Sequence, residues 1–456
     1  MSRFDAVFKA YDVRGTYPDQ IDATMCRAIG AAFARFAQKQ DGATRVVLAR
    51  DMRPSGVELS AAFAEGVFGQ GLDVVDIGLS STDLLYFASG KLEAPGAMFT
   101  ASHNPAQYNG IKMCLSGAKP IGEESGLRDI AAMADAGVPP TAERGTLTAM
   151  SLIDEFVDHV HSFVDVNALR PLKVVADTAN GMGGLVVPLA FAGLPFDLDI
   201  LFPELDGTFP NHPADPIQPE NQRDLVARVR EVGADVGLAF DGDADRVFLV
   251  DEQGNGVSGS LTTALVARQV LAKEPGAKII HNLICSKVVP EVVRENGGEP
   301  IRTRVGHSFI KQVMAETGAA FGGEHSGHYY FRDNWRADSG LIAALVVLEA
   351  ISNAGVPLSE FLAPLQRYAA SGEINTRVDD ARAVIEHVAE VYADYPQDRL
   401  DGLTVDAGPW WFNLRPSNTE PLLRLNLEAP TPDECAARVA EVRGHFGAAS
   451  EPNGGH

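Results

Sequence analysis

Three aspartates stand at alternate positions in one short stretch of the sequence, directly after the apolar run VGLAF. Asp241, Asp243 and Asp245 belong to the stretch DGDADR, in which Gly242 allows a tight turn. Neighbouring carboxylates repel one another unless a cation neutralises them, and a ligand set made only of oxygen favours Mg²⁺ or Ca²⁺. An EF-hand is disfavoured because Arg246 stands where that loop needs glycine. The pattern predicts a divalent-metal site, next to which Arg246 suits a phosphate; a solvated acidic turn is the alternative.

Two further stretches carry groups that bind phosphates or sugars. RPSNTEP offers a guanidinium, hydroxyls, an amide and backbone N–H groups, which suit an anion-binding nest, although a plain turn is equally compatible. GEHSGH combines a carboxylate, a hydroxyl and two imidazoles, which suits sugar hydroxyls better than zinc, since no third metal ligand lies nearby; a capped turn is the alternative. The candidates are Arg415, Ser417, Asn418 and Thr419 in the first stretch and Glu324, Ser326 and His328 in the second.

A serine lies in a fourth polar stretch, TASHNP, at the end of an apolar run. Ser102 is a candidate nucleophile, but it lacks the GxSxG setting of a hydrolase serine. His103 follows it directly, and Lys112 comes soon after. Metal carboxylates, arginines and a nucleophile together suit phosphoryl transfer, which depends mainly on positioning and charge neutralisation.

An order of elements that recurs three times must position these stretches. A β-branched strand, a helix and a second strand are followed by a third strand that ends in a polar loop, after which the chain is extended again. Alternating strands and helices predict mostly parallel sheets, and each extended return predicts an added antiparallel strand. The predicted fold class is α/β, with three similar α/β domains that contain mixed sheets (1–150, 151–251 and 252–366) and a C-terminal α+β domain (367–456). Because functional groups of α/β sheets lie beyond the carboxyl ends of strands, the three polar loops are expected to share one central cleft.

The composition bounds the partners and the location. The 456-residue chain has 38 Lys plus Arg against 61 Asp plus Glu, and its net charge of −23 disfavours nucleic acid and anionic membranes. No window approaches ~18 uninterrupted apolar residues, and the N-terminus has no signal-peptide core. The four cysteines are scattered and form no CxxC pair, which fits a reducing cytoplasm. An anionic substrate would therefore need a local basic pocket in an otherwise acidic chain.

Together, the four stretches resemble the α-D-phosphohexomutase family. TASHNP resembles its phosphoserine loop, DGDADR its metal loop, GEHSGH its sugar loop and RPSNTEP its phosphate loop, in the same order along essentially the whole chain. YDVRG, NGIK and GHSFIK resemble the bacterial phosphomannomutase/phosphoglucomutase branch. The resemblance implies an isomerase that interconverts hexose 6-phosphate and hexose 1-phosphate, of mannose, glucose or both, through a phosphoserine and a hexose 1,6-bisphosphate.

The resemblance also implies a role for each candidate residue. Mg²⁺ is the expected metal, glucose or mannose 1,6-bisphosphate the expected activator, and small hexose phosphates the expected partners. The implied catalytic residues are Ser102, His103, Lys112, Arg246 and His328. The implied metal ligands are Asp241, Asp243, Asp245 and Ser102. The implied substrate-binding residues are Tyr11, Arg14, Lys287, His307, Glu324, Ser326, Arg415, Ser417, Asn418 and Thr419.

Several points stay open at the level of the sequence. A phosphoglucosamine mutase and a metal-dependent sugar phosphatase are the alternative activities. His325 stands in the sugar loop where branch members often have methionine, so the preferred sugar is open, although the retained His328 favours mannose or glucose. A phosphate clamp on a separate domain implies a hinge near 366–372. The sequence decides neither monomer nor dimer.

Overall fold

The part of the chain that the structure describes folds around four β-sheets. The structure is a computed structural model that describes residues 2–416 and 422–446, and the side chain of His307 also falls outside the description. The sheets follow one another along the described chain and contain seven, five, four and five strands. The first three mix parallel and antiparallel strands, and the fourth is antiparallel. The predicted fold class is confirmed.

The first sheet belongs to the unit that carries the TASHNP loop. Its elements are α1 (Arg3–Val7), β1 (Val13–Thr16), α2 (Ala23–Asp41), β2 (Arg45–Arg50), α3 (Gly56–Phe68), β3 (Asp73–Leu79), α4 (Thr82–Lys91), β4 (Gly96–Phe99), β5 (Tyr108–Leu115), β6 (Lys119–Pro120), a π-helical turn (Glu123–Leu127), α5 (Arg128–Ala136) and β7 (Leu147–Ala149). The strand order is β1-β5-β4-β2-β3-β7, and β6 pairs with β5. Helix α2 is capped at its N-terminus by Asp22, whose carboxylate accepts the Met25 N–H at 2.8 Å, and at its C-terminus by Gly42, which has a left-handed backbone (φ +66°).

The second sheet belongs to the unit that carries DGDADR. Its elements are α6 (Ile153–His161), β8 (Leu172–Asp177), α7 (Gly183–Phe191), β9 (Phe196–Leu201), a 3₁₀ turn (Pro219–Gln222), α8 (Arg223–Val232), β10 (Val236–Phe240), β11 (Val247–Asp251) and β12 (Gly256–Val257). The strand order is β12-β11-β10-β8-β9. All five residues of β10 are buried, as the continuous apolar run VGLAF indicates for a strand covered on both faces.

The third unit carries GEHSGH, and the C-terminal domain has its own antiparallel sheet. The third unit contains α9 (Gly259–Lys273), β13 (Lys278–Asn282), α10 (Val288–Glu295), β14 (Glu299–Thr303), α11 (His307–Thr317), β15 (Phe321–Gly323), β16 (Tyr329–Phe331), α12 (Gly340–Ala354), α13 (Leu358–Leu362) and a 3₁₀ turn (Ala363–Leu365). The C-terminal domain contains β17 (Ala369–Arg377), α14 (Ala381–Val391), β18 (Gln397–Asp398), β19 (Leu403–Asp406), β20 (Trp411–Pro416), β21 (Leu422–Ala429) and α15 (Pro432–Arg443). Their strand orders are β14-β13-β15-β16 and β17-β21-β20-β19-β18.

The three α/β units repeat one strand pattern. The neighbouring strands run β3-β2-β4-β5 in the first unit, β9-β8-β10-β11 in the second and β14-β13-β15-β16 in the third, and in each the last strand alone is antiparallel. The polar loops lie between the last two strands of each series, at 100–107, 241–246 and 324–328. All three loops therefore leave the carboxyl end of a parallel strand, where functional groups of α/β sheets gather. The four domain limits read from the sequence stay predictions.

The hydrophobic core joins the first three units but leaves the C-terminal domain separate. One cluster of buried side chains runs from Val47 to Leu365 and includes α12, which is buried from Gly340 to Ser352. The C-terminal cluster, from Val378 to Phe446, is distinct from it. Among the described residues no single helix is long and apolar enough to span a membrane; one pair of helices bent by 97°, at 340–354 and 358–365, passes on length and composition together.

Candidate functional site

Ser102 lies just beyond β4 and is only 5% exposed. Its backbone is left-handed (φ +50°), which is uncommon for a residue with a side chain and indicates a constrained turn. Its Oγ donates to Asp241 Oδ2 at 2.8 Å and lies 3.2 Å from His103 Nδ1. Gly242 permits this approach of two domains, because a Cβ there would lie 2.3 Å from the Ser102 carbonyl oxygen. The serine therefore faces the metal loop across a domain boundary.

The three aspartates of DGDADR form one buried cluster. Each offers a carboxylate oxygen within 4.8 Å of those of the other two, and none is more than 1% exposed. The Oδ1 atoms of Asp243 and Asp245 are buried without a hydrogen-bond partner in the part of the chain that the structure describes. Such oxygens are costly to leave unpaired, and a hard divalent cation would satisfy both. The aspartates thus fit the metal predicted from the sequence.

Lys112, on β5 of the first unit, reaches across to the same aspartates. Its Nζ donates to Asp243 Oδ2 at 2.7 Å and to Asp245 Oδ2 at 2.6 Å. Burial alone would lower the pKa of Lys112, but these two carboxylates raise it well above its ordinary value. Burial alone would raise the pKa of Asp243, but the Lys112 ammonium holds it well below its usual range. Lys112 is therefore a cation that neutralises part of the cluster.

Burial acts differently on the other two aspartates. It raises the pKa of Asp241 to about 8, and the neighbouring carboxylates Asp243 and Asp245 raise it further against the opposing charge of Arg246. Burial, followed by the charge of Asp243, also raises the pKa of Asp245. Three carboxylates thus face two fixed cations, Lys112 and Arg246, so that additional positive charge would stabilise their ionised form.

Replacing Lys112 by methionine tests this balance. Lys112→Met is expected to lower the free energy of unfolding by about 3 kcal/mol in EDTA, because it leaves two buried carboxylates without their cation. Mg²⁺ should recover part of the loss by binding those carboxylates. Urea unfolding in EDTA and in Mg²⁺ measures both effects, and Lys119→Met on the short strand β6 is the exposed control. If Lys112→Met lowered the free energy of unfolding equally with and without Mg²⁺, Lys112 and Mg²⁺ would not share the carboxylates of Asp243 and Asp245.

Arg246 links the metal loop to the serine loop. Its Nε donates to Asp241 Oδ2 at 2.9 Å, and its Nη2 lies 2.7 Å from His103 Nδ1. The pKa of His103 is well below its ordinary value because the ring is buried and because Arg246 and Arg14 are positively charged. A neutral His103 can accept the Arg246 hydrogen bond at Nδ1. The pair places a guanidinium and an imidazole beside the Ser102 hydroxyl, where both could contact a phosphoryl group.

Glu324 begins the sugar loop directly after β15, and its carboxylate is held in one orientation. Its Oε2 accepts the Tyr330 hydroxyl at 2.7 Å, and its Oε1 accepts Asn282 Nδ2 at 3.1 Å and the Gly306 N–H at 3.3 Å. The residue is 2% exposed. Groups from three separate segments of the third unit thus fix the carboxylate before any ligand arrives.

His328, at the other end of the sugar loop, meets the metal cluster. Its Nε2 lies 3.7 Å from Asp245 Oδ1 and 4.0 Å from Asp338 Oδ2, and its Nδ1 lies 3.0 Å from Ser326 Oγ. A β-bridge joins the backbones of His328 and Arg246. The structure therefore brings the serine, metal and sugar loops into one site.

Tyr11 and Arg14 border this site from the N-terminal segment. Arg14 Nη1 donates to Asn104 Oδ1, in the serine loop, at 2.6 Å. The Tyr11 hydroxyl lies 3.3 Å from the Val305 carbonyl oxygen of the third unit. Burial raises the pKa of Tyr11, and the charge of Asp401 in the C-terminal domain raises it further. Tyr11 thus lies where the first unit, the third unit and the C-terminal domain meet.

The C-terminal domain presents Arg415 on β20, near this junction. Arg415 is 7% exposed, and its Nη2 donates to Glu373 Oε2 at 3.0 Å. Its Nε is buried without a hydrogen-bond partner among the residues described. The other predicted phosphate ligands, Ser417, Asn418 and Thr419, lie outside the described residues. His307 begins α11, and its side chain is likewise outside the description.

Two residues face a different boundary, between the third unit and the C-terminal domain. Lys287 is not brought to the metal cluster; its Nζ donates to Asp406 Oδ1 and to the Gly408 carbonyl, each at 2.7 Å. The His325 Nδ1 lies 3.4 Å from Ser260 Oγ, and burial lowers the pKa of the ring. His325 lines a cavity of about 100 Å³ between the two domains. The His325 side chain thus lies on the side of the sugar loop that faces the C-terminal domain.

Sequence analysis missed several residues that contact the site, among them Thr82 and Arg53. The Thr82 hydroxyl donates to Asp243 Oδ2 at 2.6 Å, and Arg53 Nη2 donates to the Ser102 carbonyl oxygen at 2.9 Å. Arg53 lies shortly after β2 and Thr82 shortly after β3, so both follow the carboxyl ends of parallel strands. Their position after these strands could have predicted both contacts, because the same edge of the sheet carries the TASHNP loop.

The sequence matches four models of one protein family along nearly its whole length. They describe the phosphoglucomutase/phosphomannomutase α/β/α domains I (residues 5–137), II (154–256) and III (258–368) and the C-terminal domain (373–445). The chain belongs to the phosphoglucomutase/phosphomannomutase family. The resemblance inferred from the four loops is confirmed.

Individual members of the family are similar over most of this chain. A phosphohexose mutase of Xanthomonas campestris is 43% identical over 430 residues, which are 92% of this chain and 94% of that protein. An Escherichia coli phosphomannomutase is 40% identical over 438 residues, with the same two shares. A crystal structure of a family protein from Burkholderia thailandensis has a TM-score of 0.89 and 33% identity, and the match covers 99% of this chain and 100% of that one. The protein is a hexose phosphate mutase, an isomerase of the phosphotransferase type.

Proposed function

We propose that this mutase interconverts the 6-phosphate and 1-phosphate of mannose, glucose or both, with Ser102 as the residue that carries the phosphoryl group. The observation that supports this most directly is the Ser102 hydroxyl, which lies 2.8 Å from Asp241 Oδ2 in a buried site that Lys112, Arg246 and His103 surround. A nucleophile beside metal carboxylates and fixed cations suits phosphoryl transfer.

In the proposed cycle, phosphorylated Ser102 donates to a free hydroxyl of the bound hexose phosphate. The bond from the Ser102 oxygen to phosphorus breaks, a bond from the sugar oxygen to phosphorus forms, a base takes the proton of the sugar hydroxyl, and an acid protonates the departing Ser102 oxygen. The product is a hexose 1,6-bisphosphate, which turns around and returns its other phosphoryl group to Ser102. Lys112 and His328 are the acid and base candidates, since both lie at the edge of the aspartate cluster. Added glucose or mannose 1,6-bisphosphate would phosphorylate an idle enzyme and so act as an activator.

Mg²⁺ is the proposed metal. Asp241, Asp243 and Asp245 would hold it together with an oxygen of phosphorylated Ser102, and the two unpartnered Oδ1 atoms support this set. When bound, Mg²⁺ supplies positive charge that stabilises the transferring phosphoryl group. Arg246 and His103 would contribute hydrogen bonds to the same group.

The remaining residues would hold the rest of the substrate. Arg415, with Ser417, Asn418 and Thr419, would bind the phosphate that is not reacting, and the unpartnered Arg415 Nε supports an anion there. The fixed carboxylate of Glu324 would accept hydrogen bonds from sugar hydroxyls. The Ser326 hydroxyl could accept a hydrogen bond from a sugar hydroxyl or donate one to it. The proposed lining residues are Tyr11, Arg14, Lys287 and His307. Lys287 would reach a substrate only after its Nζ leaves Asp406.

An assay of three sugars tests the proposed reaction. Purified protein is incubated with Mg²⁺, a trace of hexose 1,6-bisphosphate and the 1-phosphate of mannose, glucose or glucosamine. We expect the 6-phosphates of mannose, glucose or both to form at least about tenfold faster than glucosamine 6-phosphate, a difference of about 1.4 kcal/mol in transition-state binding. Faster conversion of glucosamine 1-phosphate would identify the protein as a phosphoglucosamine mutase. Release of inorganic phosphate without formation of a 6-phosphate would identify it as a phosphatase.

The proposed location is the cytoplasm, and the proposed partners are small hexose phosphates. All four cysteines are buried and unpaired, which suits a reducing compartment. The net charge of −23 supports a protein that does not bind nucleic acid or anionic membranes.

A further inference from the structure

Arg53 is a buried arginine that contacts the backbone of the serine loop at four points. Its Nη2 donates to the carbonyl oxygens of Ser102 at 2.9 Å and Asn104 at 2.6 Å. Its Nη1 donates to those of Pro105 at 2.9 Å and Tyr108 at 3.0 Å. Arg53 is 1% exposed, so these bonds form away from water. One guanidinium thus serves as the hydrogen-bond donor for most of the turn that carries Ser102.

The surroundings of Arg53 fix its side chain. Asp51 Oδ2 accepts from Arg53 Nε at 3.2 Å, and Asp51 Oδ1 accepts the Arg53 N–H at 2.9 Å. The ring of Phe209, from the second unit, lies 5.1 Å from the guanidinium carbon. A Cβ on Gly207 would lie 2.6 Å from Arg53 Cα, so the second unit packs directly on this residue. The guanidinium is therefore held by both domains that form the phosphoryl-transfer site.

The charge of Arg53 is balanced by the carboxylate of Asp51, so we expect Arg53 to act mainly on the geometry of the serine loop. The buried Asp51 carboxylate, 0% exposed, lies against the guanidinium and cancels most of its field at a distance. The planar fork, in contrast, has donors that fit several carbonyl oxygens at once, which the single ammonium of a lysine does not. The strained backbone of Ser102 (φ +50°) needs such external support to persist.

We propose that Arg53 is a positioning residue for phosphoryl transfer. By drawing four carbonyl oxygens of 102–108 to one side, it holds the loop so that Ser102 Oγ points at Asp241 and the metal cluster. Among the described residues its side-chain hydrogen bonds go to Asp51 and to the backbone of the serine loop, and none goes to the carboxylates of Asp241, Asp243 or Asp245, so we expect substrate affinity not to depend on it. This inference rests on the proposed role of Ser102 as the phosphoryl carrier.

The decisive measurement separates kcat from KM in variants that avoid an unpaired buried charge. The double variant D51N/R53M removes both charges together and keeps similar volumes. We expect its kcat to fall by about 10²-fold, the effect of a reacting group displaced by about 1 Å, with KM within about threefold of wild type. Arg53→Lys keeps the cation beside Asp51 but loses the fork, and its kcat should fall at least about tenfold. Arg45→Ala, at the start of the strand β2 that precedes Arg53, removes an exposed arginine that donates to one carbonyl, and should leave both constants unchanged.

Thermal unfolding of each variant separates positioning from stability alone. A merely structural Arg53 predicts a lower Tm with unchanged kcat below that Tm. Wild-type kcat in folded D51N/R53M or in folded Arg53→Lys, or a rise in KM that accounts for the whole loss, would overturn the proposal. If wild type and Arg45→Ala form isomer but Ser102→Ala is equally active, the role of Ser102 has failed, and the positioning role of Arg53 fails with it.

Discussion

Ser102→Ala is expected to lower the kcat of this mutase by about 10⁴-fold or more. The variant removes the only atom that would carry the phosphoryl group between the two half-reactions, and such losses are among the largest in enzymes with a covalent intermediate. Isomer formation from mannose or glucose 1-phosphate, followed with added bisphosphate, measures the loss. The fold should survive, because the lost hydroxyl makes a single hydrogen bond, to Asp241, besides its contact with His103.

Intact mass gives a second readout of the same prediction. Wild-type protein treated with hexose 1,6-bisphosphate should gain ~80 Da, the mass of one phosphoryl group, on the peptide that contains Ser102. Ser102→Ala should gain none. Ser162→Ala, which alters an exposed serine after α6, is the matched control for both measurements and should behave as wild type. A Ser102→Ala protein that retains isomerase activity would remove Ser102 from the proposed cycle.

Asp245→Asn is expected to lower kcat by about 10² to 10³-fold, the usual loss when one preorganised charge at the transition state is removed. The amide keeps the volume of the carboxylate but lacks its charge, so the cluster binds Mg²⁺ less tightly. Mg²⁺ should therefore raise the free energy of unfolding of Asp245→Asn by less than that of wild type. Wild type should gain about 2.7 kcal/mol at a Mg²⁺ concentration 100 times its Kd, and the variant should gain less at the same concentration.

The control for this change is an aspartate outside the cluster. Asp197→Asn, on β9, alters an exposed carboxylate, and both its kcat and its Mg²⁺ response should match wild type. The stability comparison is made by thermal unfolding across a Mg²⁺ series, with EDTA as the metal-free reference. A wild-type Mg²⁺ response in Asp245→Asn would exclude Asp245 from the metal ligands, even if activity fell.

The architecture of the three α/β units could be predicted from local sequence patterns. β-branched runs followed by helical stretches predicted three βα series, and the extended segments after each polar loop predicted β5, β11 and β16 as antiparallel strands. The structure has all three. These signals were strong because the strands that precede the polar loops, β4, β10 and β15, are fully buried, so their apolar sequences reflect their surroundings.

The cavity behind the sugar loop shows where local patterns were insufficient. In the sequence, His325 is the residue that leaves the sugar preference open, since it stands where branch members often have methionine. In the structure its ring lies beside Ser260, in the cavity between the third unit and the C-terminal domain. Alternate residues of a loop can point to opposite sides, and which side faces the cleft depends on the packing of two domains. Sequence spacing alone contains no information on that packing.

By itself, then, the sequence determined the fold class, the family and the four loops, because each is a local arrangement of residue types along one strand and the turn after it. Only the tertiary structure decided how the loops meet. Lys112 bonds two aspartates more than 130 residues away, Arg53 holds the turn around Ser102, and Lys287 pairs with Asp406. These contacts depend on the relative orientation of separate domains, which is set by the shared core and the domain interfaces. A short stretch of sequence cannot encode them.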